Sequence, residues 1–582
     1  MPDIEKMIKA ARGKIRADVV LKNARVVNVY SGECYRTDVA ILGDRIVGLG
    51  SYRGIKEYNL AGKIVAPGFM DSHLHLESTM VTVPEFARVV VPLGTTTVVA
   101  DPHEIANVMG LDGINYMLRS SKYNPLNVFV MVPSCVPSSP LETPGAELRA
   151  TDIFFFLNQE WVLGLAEMMN YPGLLACDPE ILDKIKIAGR RVIDGHATGL
   201  TGKDLCAYAA ARISSDHECM TKDEAMEKLR LGITIMIREG GCARNMEALL
   251  PMVTPETAPH CTFCTDDRHP QVLAEDGHMN GVIRKAMRLG LDPVTAIRMC
   301  TLNTARHYGL EDLGAVATGK IADIAVIDNF RDFNIEMVFK NGRLVARDGA
   351  LLPAASGALR PAEPLRGSIN IQWLKREHLE IPASRGPCRV IWLVPGQLIT
   401  RQELIKPLVV AGRVVADTRR DILKMVVVER HHASPNIGRG LVRGFGLKRG
   451  AIASSVAHDS HNIIAVGTND ADIMEAVIKI RKLQGGLTAV VDGKLVASVA
   501  LPIAGLMSEK SVEEVKDELN ALIGVTKAMG CTLEDPFMTL SFLSLSVIPE
   551  LKLTDKGLVK VSAQKIIPLF VQGKSHGRDR AQ

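Results

Sequence analysis

The sequence predicts an α/β protein with a (β/α)8 barrel in its middle, a small β-domain built from the segments on either side of the barrel, and a separate C-terminal domain. Three observations lead to this prediction: eight short apolar runs separated by helix-compatible stretches, β-type alternation before and after them, and a Pro- and Gly-rich linker. At 582 residues the chain is also several times longer than a usual domain.

The β-domain is predicted from two segments that share one pattern of apolar and polar residues. In residues 18–50 apolar and polar residues alternate in short runs, with glycines at the turns, and the same pattern returns at residues 314–349. Such alternation is typical of half-buried strands. We therefore assign residues 1–65 and 314–365 to one β-domain.

The barrel is predicted from eight apolar runs, each ending in polar or charged residues. Strands of a (β/α)8 barrel are buried on both faces and read as nearly continuous hydrophobic runs. We therefore place the barrel at residues 66–313. The runs are IVAPGFMDSHLH, TTVVADPHE, NVFVMVP, VLGLAEM, RVIDGH, ISSDHE, ITIMIREG and CTFCTDD.

The C-terminal domain begins after a linker at residues 353–367, which are rich in Pro, Ala and Gly. Beyond it, strand-like runs alternate with helical ones such as Asp470–Leu483 and Val512–Lys527. This alternation predicts a separate α/β domain over residues 380–582.

Composition excludes several classes of function. The formal net charge is only +4, with both signs scattered, so no electrostatic footprint for nucleic acid stands out. The N-terminus lacks the apolar core of a signal peptide, and the most apolar stretch falls short of the ~20 residues of a membrane helix. Eleven cysteines without a compact framework indicate reduced thiols. We expect a cytoplasmic protein without nucleic-acid or membrane partners.

Six residues of metal-ligand type lie at or near the ends of five runs. His73 and His75 end the first run, and side chains two apart on a strand point the same way. The other four lie at or near the ends of the fourth, fifth, sixth and eighth runs: Glu167, His196, His217 and Asp266. Any one of the six is explained equally well as a polar strand cap. Because strand ends converge at one mouth of a barrel, the six together predict a metal centre.

Four imidazoles and two carboxylates suit zinc, iron(II) and manganese(II) alike. They exceed what one tetrahedral ion requires, which favours a site with two ions and Glu167 between them.

Several segments resemble the amidohydrolase superfamily and, within it, the bacterial and archaeal adenine deaminases. APGFMDSHLHLESTM is similar to the opening signature of the superfamily. Similarity to the adenine deaminases runs over about residues 65–555, through DPHEIANVMG, GLAEMMNYPG, LGITIMIREG, FCTDDRHP, VAHDSHNI, LPIAGLMS and FLSLSVIPELKLT. The resemblance implies a distorted TIM-like barrel flanked by a β-sandwich. It also implies hydrolysis of adenine to hypoxanthine and ammonia in purine salvage.

The resemblance also implies roles for the six residues. The four histidines would be metal ligands, Glu167 a bridging carboxylate, and Asp266 both a ligand and a proton shuttle; with His217, these two acids form the expected catalytic set. Position 167 holds Glu where many relatives have a carboxylated Lys, which favours the deaminase branch. We expect manganese or iron(II), with zinc as a further candidate. Adenine is the expected partner, and the protein is expected to be a homo-oligomer such as a homodimer.

Further residues at the predicted mouth are candidates for substrate contact, support of the ligands or another metal site, against the alternative of an exposed rim of ordinary ion pairs. Asp267 either binds a purine nitrogen or pairs with Arg268. Attack at C6 requires a proton donor at the adjacent ring nitrogen, for which Glu104 and Glu239 are candidates. The remaining members of this set are Asp101, His103 and Arg238.

The C-terminal domain carries one dense polar cluster, His458–Asn462. Metal binding and a lid over the barrel mouth are open alternatives for it, and a substrate-proximal or structural role is favoured. For the whole chain, the alternatives are another hydrolase on the same scaffold, such as a cyclic amidase or a deacetylase, and a non-catalytic paralogue.

Overall fold

A computed structural model of the chain describes residues 3–241, 243–357, 359–394 and 397–571. Residues 572–582 of the predicted C-terminal domain and Ala358 of the predicted linker lie outside the described residues. The chain forms two structural units. Unit 1 comprises Met1–His103, Ile114–Cys135 and Arg149–Glu363, and unit 2 comprises Glu104–Gly113, Val136–Leu148 and Pro364–Gln582.

The first seventeen strands belong to unit 1 and fall into three sheets. They are β1 Ala17–Asn28, β2 Glu33–Leu42, β3 Arg45–Leu49, β4 Gly54–Asn59, β5 Ile64–Pro67, β6 Phe69–Leu74, β7 Thr95–Ala100, β8 Asn127–Val132, β9 Val162–Met168, β10 Val192–Gly195, β11 Ser215–Asp216, β12 Thr234–Arg238, β13 Cys261–Cys264, β14 Ile324–Ile327, β15 Ile335–Lys340, β16 Arg343–Arg347 and β17 Ala350–Leu351.

Fourteen described α-helices lie within residues 3–363, most of them between the parallel strands. They are α1 Ile4–Ala11, α2 Val83–Val90, α3 His103–Ser120, α4 Ala150–Ile153, α5 Tyr171–Leu175, α6 Pro179–Ala188, α7 Gly202–Ala210, α8 Lys222–Arg230, α9 Met246–Leu249, α10 Pro270–Glu275, α11 Met279–Arg288, α12 Pro293–Met299, α13 Leu302–His307 and α14 Pro353–Ser356.

A nine-stranded sheet joins the two predicted β-segments. Its order is β17-β16-β15-β14-β5-β1-β2-β3, with β4 paired to β1, and β14 runs antiparallel to β5. Strand β1 buries most of its apolar residues, including the adjacent pairs Val20–Leu21 and Val26–Val27, while its polar and charged residues are half-buried or exposed. Strands from both ends of unit 1 therefore share one sheet.

The parallel strands form a five-stranded sheet, β10-β9-β8-β7-β6, and a three-stranded sheet, β11-β12-β13. All residues of β6 and β7 are buried, as expected for strands covered on both faces. Backbone hydrogen bonds link the sheets at both edges: Ser214 N–H donates to Ile193 O (2.9 Å), and Asp266 N–H donates to His73 O (3.0 Å). The parallel strands thus follow a curled α/β arrangement.

The first predicted run, residues 64–75, contains two strands rather than one. Ile64–Pro67 pairs with β14 and β1, whereas Phe69–Leu74 pairs with β7. Gly68 lies between them, where a Cβ would come within 2.2 Å of Thr96 Oγ1. The close approach of strand β7 at this point requires a residue without a side chain.

Unit 2 contains an eight-stranded sheet of order β20-β19-β24-β23-β26-β25-β27-β28 and two three-stranded sheets, β18-β22-β21 and β29-β30-β31. Its strands are β18 Ile381–Pro382, β19 Cys388–Leu393, β20 Thr400–Ile405, β21 Leu408–Val410, β22 Arg413–Val415, β23 Ile422–Val428, β24 Ile437–Arg443, β25 Ala451–Ser454, β26 Ile463–Gly467, β27 Gly486–Val491, β28 Lys494–Ala500, β29 Leu551–Thr554, β30 Gly557–Lys560 and β31 Lys565–Ile567.

The two helices predicted here are present as α15 Asp470–Leu483 and α16 Val512–Ala528, and α17 Pro536–Ser541 follows. Asn469 caps α15 by accepting the Asp472 N–H, and Ser511 caps α16 by accepting the Glu514 N–H. Helix α15 buries Ile473, among other residues, in a core shared with β23, β25 and β26. Among the described residues, no helix is both long enough and apolar enough to traverse a bilayer.

Candidate metal centre

The structure brings the six predicted ligands together at the ends of parallel strands in unit 1. They are His73 on β6, His75 just after it, Glu167 on β9, His196 after β10, His217 after β11 and Asp266 after β13. Five of them are buried, and His196 is half-buried. The carboxyl ends of parallel strands meet at one edge, which explains why residues so distant in sequence lie side by side.

The Glu167 carboxylate lies among the imidazoles. Its Oε1 is 3.4 Å from His75 Nε2 and 4.0 Å from His73 Nε2. Its Oε2 is 2.6 Å from His196 Nδ1 and 3.2 Å from His217 Nε2. Burial raises the pKa of Glu167, but His196 and His217 outweigh it and hold the pKa well below the usual range. The two oxygens of an ionised carboxylate therefore face two different sets of imidazoles.

Asp266 is held by its backbone as well as its side chain. It has a positive φ of 53°, which Asp tolerates better than most residues. Its N–H donates to the carbonyl of His73 on β6, and its carbonyl accepts the N–H of His75 just after that strand. Its Oδ1 is 3.3 Å from His75 Nε2, and its Oδ2 is 3.7 Å from His217 Nε2. Burial raises the pKa of Asp266, but Arg238 and the neighbouring histidines lower it well below its usual value. Asp266 is therefore a carboxylate at neutral pH.

The state of two imidazoles shows that these residues fit a cation. His75 Nδ1 lies 3.0 Å from the Asp101 carbonyl and donates to it, so Nε2 faces the carboxylates of Glu167 and Asp266. That face of the ring needs a positive charge, from a proton or from a metal ion. Burial and His217 lower the pKa of His73 to about 3, so its ring is neutral, and its buried Nε2 has no hydrogen-bond partner among the described atoms. A metal ion would satisfy both rings.

Among the described residues, several sets of side chains have ligand atoms within 4.8 Å of one another. One of them, formed by Glu104, His458 and His461, belongs to unit 2, and the following four belong to unit 1. They are His73, His75 and Asp266; His73, Glu167 and His217; His75, Asp101, His103 and Glu167; and His196, His217 and Glu218. Their nitrogen and oxygen donors suit divalent transition-metal ions.

Two further predicted residues, Asp101 and His103, lie in this cluster. His103 Nδ1 is 3.1 Å from Asp101 Oδ2 and 3.5 Å from Glu167 Oε1. The Asp101 carboxylate also accepts the His103 backbone N–H at the start of helix α3 (3.1 Å). Asp101 therefore orients His103 through its side chain and His75 through its carbonyl.

Arg238, which was predicted at the mouth, joins two carboxylates. Its guanidinium donates through Nη1 to both Asp266 and Glu218, and all three side chains are buried. The sequence reasoning missed Glu218. Its position directly after the predicted ligand His217 at a strand end was the available signal.

Three buried aspartates near the predicted ligands were also missed from the sequence. Asp71 accepts the Thr265 N–H (3.1 Å) and lies 3.1 Å from His278 Nε2. Asp194 accepts the Tyr308 hydroxyl (2.7 Å), and Asp216 lies 3.2 Å from Lys228 Nζ. Each precedes a predicted ligand histidine by one or two residues, a regularity that the sequence displays.

Asp267 and Glu239 are tied to neighbours within unit 1. Ser78 Oγ donates to Asp267 Oδ1. Glu239 accepts Lys285 Nζ (2.9 Å) and the Met246 N–H (3.2 Å).

In unit 2, Glu104 lies between the two histidines of the cluster that the sequence singled out. His458 Nδ1 contacts Glu104 Oε1, and His461 Nε2 contacts Glu104 Oε2, with all three side chains buried. His461 Nδ1 accepts the Ala457 N–H (3.2 Å), so a neutral His461 carries its proton on Nε2 and donates it to Glu104. This favours a hydrogen-bonded structural cluster over a metal site.

Comparisons with known proteins match both parts of the chain. Residues 64–345 match the amidohydrolase family, and residues 397–565 match the adenine deaminase C-terminal domain. A relative named adenine deaminase from Desulfatibacillum aliphaticivorans is 48% identical over 97% of this chain and 99% of its own. Another from Methanothrix thermoacetophila is 48% identical over 98% of this chain and 100% of its own. A solved β-aspartyl dipeptidase from Fervidobacterium islandicum AW-1 has 18% identity and a TM-score of 0.42, covering 58% of this chain and 99% of that one.

Proposed function

Because the chain belongs to the adenine deaminase family of amidohydrolases, a family of metal-dependent hydrolases, its reaction is the hydrolysis of adenine to hypoxanthine and ammonia, and we propose that the six-residue cluster around Glu167 carries it out. The observation that supports this assignment is the Glu167 carboxylate, whose two oxygens face imidazoles from different strands. The reaction fits a role in purine salvage.

In this proposal Glu167 would help to hold two divalent ions. His73, His75 and Asp266 would hold one ion, and His196 and His217 the other. The orphaned Nε2 of His73 and the two carboxylates facing His75 support this assignment. Bound divalent ions would lower the pKa of water to roughly 7 and so supply hydroxide near neutral pH. Manganese and iron(II) are the proposed ions, with zinc next.

Asp266 moves the proton. As a carboxylate it can take the proton released by the attacking water and pass it to the amino group leaving C6. Its backbone, bonded to His73 and His75, keeps the carboxylate in one place during both transfers. His217, 3.7 Å from Asp266 Oδ2, completes the proposed catalytic set.

The neighbouring residues position the reactants. We propose that Asp101 and His103 support His75 and Glu167, and that Arg238 orients Asp266. For Asp267, held by Ser78, contact with a purine nitrogen is the favoured role, since no described ion pair joins it to Arg268.

Of the two candidates for protonating the ring nitrogen, Glu239 is held by Lys285 and the Met246 N–H, and Glu104 by two imidazoles. Neither candidate gains support from these contacts, and the donor stays unassigned.

The finer architecture belongs to the same proposal. The eight parallel strands β6–β13 would close into a distorted barrel, with the nine-stranded sheet as its flanking β-sandwich. The C-terminal α/β domain would correspond to unit 2. A cytoplasmic homo-oligomer, such as a homodimer, is the proposed state, supported for the compartment by the ten described cysteines, which are free thiols.

An ammonia-release assay tests the function. Metal-free protein is reconstituted separately with manganese, iron(II) or zinc and given adenine, a cyclic amide or an N-acetylated amino sugar. Ammonia from adenine, dependent on added metal, is the expected result. Opening of the cyclic amide, release of acetate or no turnover with any metal would overturn the proposal.

A further inference from the structure

One guanidinium nitrogen of Arg238, at the end of β12, donates hydrogen bonds to two carboxylates. One carboxylate follows β11 and the other follows β13. Arg238 Nη1 donates to Asp266 Oδ2 and also to Glu218 Oε1. The proposed mechanism uses Asp266 but has no step for Glu218. Buried carboxylates are costly unless they are paired, so a second one beside the proton shuttle calls for a physical reason.

Glu218 is held in place independently of Arg238. Its backbone N–H donates to Asp216 Oδ1 (2.8 Å), and its Oε2 accepts the Thr198 hydroxyl (3.1 Å). Asp216 is itself bound by the Ala197 N–H (2.9 Å). Glu218 is therefore a fixed anion against which a guanidinium can be positioned.

Arg238 is fixed at its backbone by Asn245. The Arg238 N–H donates to Asn245 Oδ1 (2.7 Å), and Asn245 Nδ2 donates to the carbonyl of Cys219 (3.0 Å). This link holds the end of β12 to the segment that follows β11. The position of the Arg238 backbone, from which the side chain extends to Glu218 and Asp266, is consequently fixed.

We propose that Glu218 is a positioning residue for the deamination, an inference that rests on the proposed function. By engaging Arg238, it limits Asp266 to one hydrogen bond from the guanidinium, on Oδ2. Asp266 Oδ1 is then left facing His75 Nε2 at 3.3 Å.

Without Glu218, the guanidinium is free to form the bidentate fork that arginine prefers with a single carboxylate. Both oxygens of Asp266 would then be engaged by Arg238. Oδ1 would turn away from His75, and proton transfer would start from the wrong orientation.

The test is Glu218→Gln in the full-length protein, which removes the charge and keeps the size. We expect kcat to fall about 10- to 100-fold, the effect of one charge-assisted hydrogen bond, with KM changed by less than about 3-fold. Bound manganese per chain should stay at the wild-type level. In cobalt-loaded protein the visible absorption bands should shift, because Asp266 is one of the proposed ligands.

The matched control is Glu224→Gln. Glu224 is bonded to the buried Lys228 (2.9 Å) in the same unit but does not contact Asp266. This variant should keep both the wild-type kcat and the wild-type cobalt spectrum. Glu218→Asp, which keeps the charge on a shorter side chain, should show a smaller loss of kcat than Glu218→Gln. If Glu218→Gln does not fold, the contrast between Glu218→Asp and Glu224→Gln in the cobalt spectrum takes its place.

Wild-type kcat and cobalt spectrum in the Glu218 variants, or an equal loss in Glu224→Gln, would overturn the positioning role. Failure of the proposed function gives a different result, since the wild-type protein would then release no ammonia from adenine. In that case the cobalt spectra still decide whether Glu218 controls Asp266.

Discussion

Replacing Asp266 by asparagine tests the central proton transfer. Asparagine has nearly the same size, accepts the positive φ of this position and keeps one oxygen where Oδ1 faces His75. It cannot take up a proton near neutral pH. The variant therefore separates the proton-transfer role of Asp266 from its role in shaping the metal centre.

The expected size of the effect follows from the contacts of Asp266. A positioned general base contributes about 10²- to 10⁴-fold to a rate, so kcat should fall by that factor. Loss of the charged hydrogen bond from Arg238 should lower the free energy of unfolding by about 1.5–3 kcal/mol. Glu218 still pairs with Arg238 in the variant, so the buried guanidinium charge keeps one ion-pair partner.

The assay is ammonia release at saturating adenine, with metal content measured on the same sample. We expect the folded variant to retain much of its metal while turnover is nearly abolished. Full activity would remove Asp266 from the mechanism. Parallel loss of metal and activity would mean that its contribution is ligation rather than proton transfer.

Three further predictions address other parts of the molecule. Glu167→Gln should lose most of its bound manganese, and its kcat should fall at least about 100-fold, because the imidazoles on both sides of Glu167 lose their shared anion. Wild-type metal content by elemental analysis would contradict this. His461→Ala should lower the free energy of unfolding by about 1–3 kcal/mol, because Glu104 loses a buried donor, while metal content stays unchanged; selective loss of metal would instead indicate a site in unit 2. Burial lowers the pKa of Lys552 from 10.5 to about 7. Between these values the unfolded chain binds a proton that the folded chain does not, so the free energy of unfolding should rise with pH; Lys552→Met should abolish that rise in urea unfolding, and an unchanged slope would refute the assignment.

The sequence by itself determined the kinds of strands and the residues available as ligands. Buried parallel strands must be apolar along their length, so the runs that have His73, Glu167 and Asp266 near their ends could be recognised from the sequence alone. The shared orientation of the two side chains of the His-x-His pair could also be predicted from the sequence, because the period of a strand is two residues. Helix α15 matched its predicted bounds because its apolar spacing and its Asn469 cap are both local signals.

Only the tertiary structure decided how these residues engage one another. The division of Arg238 between Asp266 and Glu218, and the pairing of Glu104 with His458 and His461, join positions that are far apart along the chain. The close approach of strand β7 to Gly68, where the first run divides into two strands, is likewise a contact between distant positions. Side-chain partners, ring protonation and close backbone contacts depend on which residues lie close together in the folded chain. Composition and periodicity do not contain the distances between residues that are far apart in sequence.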